Sequence, residues 1–193
     1  YTWDMHLQEQ KMEFDDVSII DANNMWAFSN TTENDSYYGS YIYSYDGKMW
    51  NKRCEVVEEQ LVSIFAIDST HIWLVGRGYD YSSQQTYAAI LFYNGQEVDL
   101  QLKLEESVLV DIFALDRNHA WAVGDGIYCY DGNKWIEQYT ISEGINQITA
   151  FDAKHVWAQS ARGKIYFYDG QRWKLQEDLS RKGLGEEHAL NGP

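Results

Sequence analysis

The sequence predicts an all-β repeat fold, a β-propeller, from three observations. All eight tryptophans fall at two recurring positions, four of them in similar words such as THIWLVG around Trp73 and NHAWAVG around Trp121. A second word with period-two alternation follows each time, as in IYCYDG before Trp135. Its Asp-Gly or Asn-Gly pair is a strong hairpin signal, because these residues adopt positive φ at little cost. The repeat spacing, roughly 36 to 48 residues, is typical of propeller blades.

Each repeat predicts four strands. The first strand is an apolar run that ends at a recurring aspartate, the second carries the first-word tryptophan, the third is the alternating run, and the fourth starts at the closing position. The aspartates are Asp21, Asp68, Asp116 and Asp152, and the closing positions are Trp50, Val98, Trp135 and Trp173. We therefore expect blades at 15–55, 61–104, 109–140 and 146–177.

The two ends of the sequence do not make up a further blade. Trp3 stands at the closing position of an earlier repeat, so residues 1–7 are expected to form the outer strand of another blade. The tail, 178–193, is polar and glycine-rich, and we expect it to be flexible. Closed rings remove sheet edges by pairing strands. Four complete blades and one extra outer strand therefore predict part of a larger ring, which further chain or a second subunit completes.

Composition narrows the classes of partner. The net charge of −15 argues against nucleic acid and against an anionic membrane surface, since both attract clustered Lys and Arg. No apolar run is long enough for membrane insertion. The two cysteines, Cys54 and Cys129, occupy non-equivalent repeat positions and are expected to be free thiols that fill apolar space. No motif for a cofactor is present.

With both words identified, the repeat resembles bacterial propeller repeats of the form WaVG…GxIyxYdGxxW. It is similar to the repeats of the photosystem II assembly factor family and of the wider BNR/Asp-box-like superfamily. This resemblance implies a propeller, and it implies no single activity, because the fold carries lectins, hydrolases and scaffolds. The Asp-box itself is not reproduced, since the chain after Ser44 reads YDGKMW, one residue short. Together with the acidic charge and tyrosine-rich loops, the resemblance leads us to expect an extracellular or cell-envelope location.

Residues that recur in every blade are predicted to be structural. His71, His119 and His155 are equivalent, and Asn24 takes their place in the first repeat. Equivalent positions on successive blades stand too far apart for one zinc ion, whose ligands lie at about 2.0–2.1 Å. We expect each histidine to bond the aspartate of its own turn, and each aspartate to cap that turn. The closing residues and the tyrosines of the second word, Tyr45, Tyr93, Tyr130 and Tyr168, are expected to pack between blades.

The candidate site lies where the repeat is broken. The loops at Ser29–Tyr41 and Gly76–Tyr87 are long, whereas the last two blades have short turns there. Both are rich in Tyr, Ser, Asn and Gly, the mixture that antibody paratopes use. On adjacent blades they should lie side by side, on the face that also carries the blade-to-blade connections and their glutamates. We predict a non-catalytic docking patch for a protein or glycan, formed by Tyr37, Tyr38, Arg77, Tyr79, Asp80 and Tyr81.

Two other functions stay open from the sequence. One is a propeller glycoside hydrolase or lectin with carboxylates near a central channel, although no catalytic motif is present and linear sequence does not reveal the spacing of a carboxylate pair. The other is a purely structural spacer in a larger surface protein. A hydrolase would require turnover of glycosides, and a structural spacer predicts no ligand at all.

Overall fold

The described residues fold into sixteen antiparallel strands. The computed structural model describes residues 13–33, 36–141 and 143–179, and it leaves the side chains of 32–38 and of 142 undescribed. The predicted outer strand at 1–7 and the tail from 180 onward lie outside the described residues. The strands are β1 Asp16–Asp21, β2 Asn24–Glu33, β3 Ser36–Tyr45, β4 Trp50–Val56, β5 Glu59–Asp68, β6 His71–Asp80, β7 Gln85–Tyr93, β8 Val98–Glu105, β9 Leu109–Asp116, β10 His119–Gly124, β11 Gly126–Tyr130, β12 Trp135–Thr140, β13 Ile145–Asp152, β14 His155–Ser160, β15 Lys164–Tyr168 and β16 Trp173–Asp178.

These strands form four separate sheets of four strands, each a meander in chain order. We number them blade one (β1–β4) to blade four (β13–β16). The first strands of successive blades, β1, β5, β9 and β13, contact one another and form the inner wall of the arc. Each outer pair of strands carries a register shift at the same place, for example between Ile127 and Tyr128 in blade three. The prediction of an all-β propeller with four-stranded blades is confirmed.

Period-two alternation gives each blade two apolar faces. On β5, Ile64 and Ala66 point to the preceding blade, on what we call the front face, while Phe65 and Ile67 point to the following blade, on the back face. Three apolar clusters result, one between each pair of consecutive blades. This explains why the blades need one another, because a single sheet leaves both faces in water.

The recurring aromatic residues occupy these interfaces. Trp73 of blade two is 3% exposed and meets Trp135 of blade three edge-on, with ring centroids 5.1 Å apart. Within a blade, the tyrosine of the second word packs beside the closing tryptophan, as Tyr130 does beside Trp135 at 5.5 Å. Aromatic pairs of this kind contribute about 0.5–1.5 kcal/mol beyond the area they bury. The predicted packing of these residues between blades is confirmed for blades two to four, while Tyr45 and Trp50 pack against each other within blade one.

The aspartates that end the inner strands cap the following turns. In every blade the carboxylate accepts the backbone N–H two residues later, as Asp116 does from Asn118 at 2.7 Å. The same carboxylate bonds the side chain three residues later, so Asp116 Oδ1 lies 2.9 Å from His119 Nδ1. Blade one uses Asn24 in place of histidine. Both predictions for these residues are confirmed, and each histidine is held by its own turn.

The two long loops were predicted wrongly as loops. In blade two, β6 and β7 continue as a paired ladder out to Asp80 and Gln85, and in blade one β2 and β3 pair out to Glu33 and Ser36. Both segments contain several tyrosine and threonine residues, which suit paired strands. The described parts of these segments are therefore paired extensions of the strands, which makes them stiffer than the predicted loops.

The described residues contain no helix long and apolar enough to cross a membrane. Cys54 and Cys129 are both free and partly buried, as predicted.

Candidate functional site

The candidate site is built on the blade-two hairpin, residues 77–87, which comprises the outer ends of β6 and β7 and their turn. The equivalent strands of blades three and four are much shorter, since β10 and β14 each have six residues against ten in β6. The hairpin continues past the point where those blades turn back. It therefore projects from the face that carries the blade-to-blade connections, where Glu59 pairs with Gly78 and Tyr87 with Glu105.

Blade two anchors the hairpin from the side of β5. Arg77 Nε donates to Gln60 Oε1 at 2.7 Å, and the Tyr87 hydroxyl donates to Glu59 Oε1 at 3.0 Å. The Tyr87 ring lies where a Cβ at position 78 would stand, so Gly78 is needed for this close approach. Burial raises the pKa of Glu59, and burial together with the Glu59 carboxylate raises the pKa of Tyr87 to about 12. The tyrosine thus stays a neutral donor over the physiological range.

A second set of bonds anchors the hairpin from the side of β8. Lys103 Nζ lies 2.6 Å from Asp80 Oδ2 and 3.1 Å from Glu105, and it also stands 4.5 Å above the Tyr87 ring. Gln85 Nε2 donates to Glu106 Oε1 at 2.9 Å. With strands on both sides bonded to it, the hairpin is held along its length rather than only at its base.

Asp80 also shapes the turn. Its Oδ1 accepts the backbone N–H groups of Ser82 and Ser83 and the Ser82 hydroxyl, the last at 2.6 Å. Lys103 and then these Ser82 bonds hold the pKa of Asp80 well below its usual range. Asp80 was predicted to contact a partner, and the structure engages it inside the hairpin, where it stiffens the turn.

The solvent-exposed side chains of the hairpin include two tyrosines. Tyr79 is 43% exposed and Tyr81 is 83% exposed, and their rings meet edge-on with centroids 5.1 Å apart. Tyr79 and the exposed Arg77 lie on the same face of β6, because they are two residues apart on one strand. The structure therefore brings Arg77, Tyr79 and Tyr81 together on a braced support.

The blade-one hairpin, 29–41, lies beside it. Tyr37 and Tyr38 belong to β3, and their side chains lie outside the described part of the chain. Asn30 Nδ2 donates to the Leu61 carbonyl at 3.0 Å, while Asn30 Oδ1 accepts the Leu61 N–H at 3.0 Å. Since Gln60 bonds Arg77, the segment Gln60–Leu61 joins the bases of both hairpins. The bases of the two hairpins therefore lie side by side, as expected.

The connections around the site are acidic, as expected, and two of them are conformationally unusual. Glu58 and Glu106 occupy equivalent blade-to-blade connections and both have positive φ, 76° and 52°. A non-glycine residue in this region costs of order 1 kcal/mol or more and persists only where its surroundings hold it. The sequence pattern missed Gln60 and Lys103 as parts of the site. The signal that could have found them is cross-strand register, which depends on knowing how far the hairpin extends.

The inner wall holds two carboxylates, Asp16 and Asp111, at equivalent positions of blades one and three. Asp111 accepts the Ile148 N–H of the next blade at 2.9 Å, and the equivalent Asp16 accepts the Ile64 N–H at 3.1 Å. Burial, and to a lesser degree the Asp16 carboxylate, raise the pKa of Asp111. Both groups therefore join neighbouring blades. Across the described ranges, no cluster of three or more His, Cys, Asp or Glu is placed to hold a metal ion.

No protein-family model matches this chain, and no curated protein matches it. A structure of YCF48 bound to D1 peptide aligns with a TM-score of 0.56 at 17% identity, over 86% of this chain and 55% of that one. This chain thus spans about half the length of that protein. YCF48 from Cyanidioschyzon merolae aligns with a TM-score of 0.48 at 14% identity, covering 82% and 68% of the two chains. The WD40 β-propeller domain of Doa1 aligns with a TM-score of 0.45 at 11% identity, covering 86% and 68%.

At such low identities the comparison shows architecture. The alignment with YCF48 bound to D1 peptide supports the propeller part of the expected resemblance. The chain is an arc of β-propeller blades.

Proposed function

We propose that this protein is a non-catalytic interaction module that binds an extended segment of a partner protein through the blade-two hairpin. One observation carries the proposal: Tyr79 and Tyr81 stand exposed and in mutual contact on a hairpin that ion pairs and hydrogen bonds hold from both sides. Tyrosine supplies a large contact area at a low cost in conformational entropy. A braced support lowers that cost further, since little motion is lost on binding.

A protein partner fits this surface better than a sugar. Asp80, Ser82 and Gln85, polar residues of the same hairpin, are engaged within the protein, which leaves few donors or acceptors to read the hydroxyls of a glycan. The flanking connections carry glutamates, and the whole chain has a net charge of −15, so a segment with Lys or Arg is favoured. The structure of YCF48 bound to D1 peptide is an example of a similar fold that carries a peptide.

The test uses a peptide library displayed on phage, selected against the immobilised protein. Bound sequences are then synthesised and titrated against the protein and against the double variant Tyr79→Ala, Tyr81→Ala. One aromatic anchor commonly contributes about 2 kcal/mol, and the contributions of neighbouring anchors are not additive, so we expect the double variant to weaken binding by at least about thirty-fold. Trimming 76–89 to a Gly-Asp-Gly turn, the form found at 124–126, should abolish it.

Phe151→Ala is the matched control. Phe151 is 80% exposed, close to the value for Tyr81, and it lies on blade four far from the hairpin. It should leave peptide affinity unchanged. Selected peptides that bind the double tyrosine variant as well as the natural protein would overturn the proposal, as would a glycan array that yields the only ligands. Turnover of chromogenic glycosides would instead favour the hydrolase alternative.

A further inference from the structure

The back face of the blade-two hairpin is directed toward the side of blade three. Val75 of β6 packs into the cluster between blades two and three, so Arg77 and Tyr79, which follow at a spacing of two, lie on the same face. On β7, Ala88 belongs to that cluster, and Thr86, two residues before it, pairs with Tyr79. The three back-face side chains of the hairpin are all exposed, and they are Arg77, Tyr79 and Thr86.

The front face of the hairpin is engaged by contacts within the protein. Asp80 bonds Lys103 on this side, and the Tyr87 hydroxyl bonds Glu59. The blade-one hairpin also stands on this side and is joined to the base of blade two by hydrogen bonds. A partner therefore finds the exposed side chains of the blade-two hairpin on its back face.

Blade three ends before it reaches the height of the hairpin. Its β10–β11 ladder stops at the pair Val123–Ile127, which matches the pair Val75–Ile90 of blade two. In blade two the ladder continues for five further pairs, as far as Asp80. The back face of the hairpin therefore rises above the turn of blade three instead of packing against a neighbouring strand. The step between the two blades forms a groove.

The floor of this groove is built from the turn of blade three and the connection that leads to it. Asp125 Oδ1 accepts the Ser107 hydroxyl at 2.8 Å, and the Asp125 backbone N–H donates to the Val108 carbonyl at 3.1 Å. Val108 is 57% exposed although its side chain is apolar. Because these bonds hold the floor in place before a partner arrives, little motion is lost on binding.

Two carboxylates belong to this floor. Asp125 directly precedes Gly126, and a Cβ at Gly126 would lie 3.4 Å from Glu137 Oε1. Glu137 pairs with Tyr128, which packs on the front face of blade three, so both side chains are directed toward blade two. In the part of the chain that the structure describes, no lysine or arginine forms an ion pair with either carboxylate. We call this surface the back groove, with a wall of Arg77, Tyr79 and Thr86 and a floor of Val108, Asp125 and Glu137.

We propose that the back groove binds an extended segment of a partner protein in which an apolar residue stands beside a lysine or arginine. The apolar side chain covers Val108 and packs along Tyr79. The cation pairs with Asp125 and Glu137, which supply the complementary charge. Arg77 keeps N–H groups beyond the one it uses within blade two, and these donate to backbone carbonyls of the segment. The inference rests on the function proposed for the hairpin and adds the side of binding and the chemistry of the partner.

The first comparison tests the side of binding. The probe is the tightest synthetic peptide from the phage selection described above, labelled with fluorescein and titrated by fluorescence anisotropy. Val108→Lys is expected to weaken its binding at least about tenfold, since it removes an apolar contact and repels the cation of the peptide. Val57→Lys is the matched control, because Val57 is 61% exposed in the connection on the front side of the hairpin. It adds the same charge and should change the affinity by less than about threefold.

The second comparison tests the chemistry of the partner. Asp125→Asn with Glu137→Gln removes both carboxylates from the floor and keeps an oxygen acceptor at each position. This double variant should bind the peptide at least about tenfold more weakly at low salt, and the loss should shrink as NaCl is raised, because salt screens the charges. Glu97→Gln with Asp99→Asn is the control, since it removes two charges at the opposite end of blade two. It should bind like the natural protein.

Selected peptides should carry Lys or Arg next to an apolar residue, and enrichment of Asp or Glu would overturn the proposal. Equal affinities within either comparison would also overturn it. If Tyr79→Ala with Tyr81→Ala still loses binding in that case, the hairpin keeps its proposed function and only the back groove is wrong. A selection without binding peptides, or binding that survives the double tyrosine change, would instead contradict the function proposed for the hairpin.

Discussion

Lys103 Nζ lies 2.6 Å from Asp80 Oδ2 and joins the outer strand of blade two to the tip of its hairpin. The two residues are 23 positions apart in the sequence, and register alone brings them together. Because Asp80 also caps the turn at Ser82, the ion pair transmits the position of β8 to the turn that carries Tyr81. The position of the exposed tyrosines therefore depends on β8, a strand that itself contributes no aromatic side chain.

Lys103→Met should loosen the hairpin without unfolding the blade. Amide hydrogen exchange within 79–86 should speed up by at least about tenfold, because the lost ion pair frees the tip while the ladder at its base remains. Lys174→Met is a matched control, since it removes the Lys174–Asp169 pair of blade four. Unchanged exchange within 79–86 in Lys103→Met would show that the backbone ladder suffices.

The same ion pair gives the hairpin a defined pH response. Lys103 and Ser82 lower the pKa of Asp80 in the folded protein. The stabilisation of the hairpin by the ionised Asp80 is therefore fully present above the unfolded pKa, near 3.9, and is lost as the pH falls through the lower folded pKa. Protection factors of the hairpin amides should therefore be flat from pH 8 to about pH 5. A midpoint of lost protection near neutral pH would show that another group controls the tip.

Asp68→Ala should destabilise the protein more than Asp116→Ala. Both aspartates cap their turns, but Asp68 also accepts from Arg117 Nη2 of the next blade at 2.8 Å. Burial works to raise the pKa of Asp68, and the bonds from Thr70, His71 and Arg117 outweigh it and hold the pKa low. Urea denaturation should give losses on the order of 1 kcal/mol, kept modest by partial exposure. In an Arg117→Ala background, Asp68→Ala and Asp116→Ala should lower the free energy of unfolding by nearly the same amount.

Gly124→Ala should cost about 1–3 kcal/mol in free energy of unfolding. A Cβ at this position would collide with the backbone carbonyl of Val108 in the connection to blade three, which has little freedom to move aside. Gly126→Ala is the control, because its added Cβ would first meet side-chain atoms of Tyr128 at 3.2 Å. Denaturation midpoints that fall equally in both variants would argue against a specific backbone clash.

The two thiols should react slowly in the folded protein. Burial raises the pKa of Cys54 to about 11, and burial with the nearby Asp131 carboxylate raises the pKa of Cys129 to about 12. At pH 8 the reactive thiolate is then roughly a thousandth of each population or less. Labelling with iodoacetamide should be at least about a hundred times slower than in urea. Rapid native labelling of either residue would reveal local opening of its blade.

The propeller and the roles of its recurring residues could be predicted because they depend on short stretches of chain. Asp116 and His119 belong to the same turn, and Tyr130 and Trp135 flank one hairpin, so spacing alone predicts that they meet. The hairpin at 77–87 could not be predicted in the same way. Its Tyr, Ser and Gly content is equally typical of a loop and of an exposed strand, and only pairing with the neighbouring strand decides between them.

By itself, the sequence determined the four blades, their turns and which side chains alternate to each face, since these follow from local periodicity and turn chemistry. Only the tertiary structure decided that Asp80 is bonded inside the hairpin while Tyr79 and Tyr81 stay exposed. It also decided that Trp157 and Trp121, which occupy identical repeat positions, differ in exposure. The physical reason is that burial depends on what packs across a face, and for these residues the neighbour is another blade rather than the adjoining sequence.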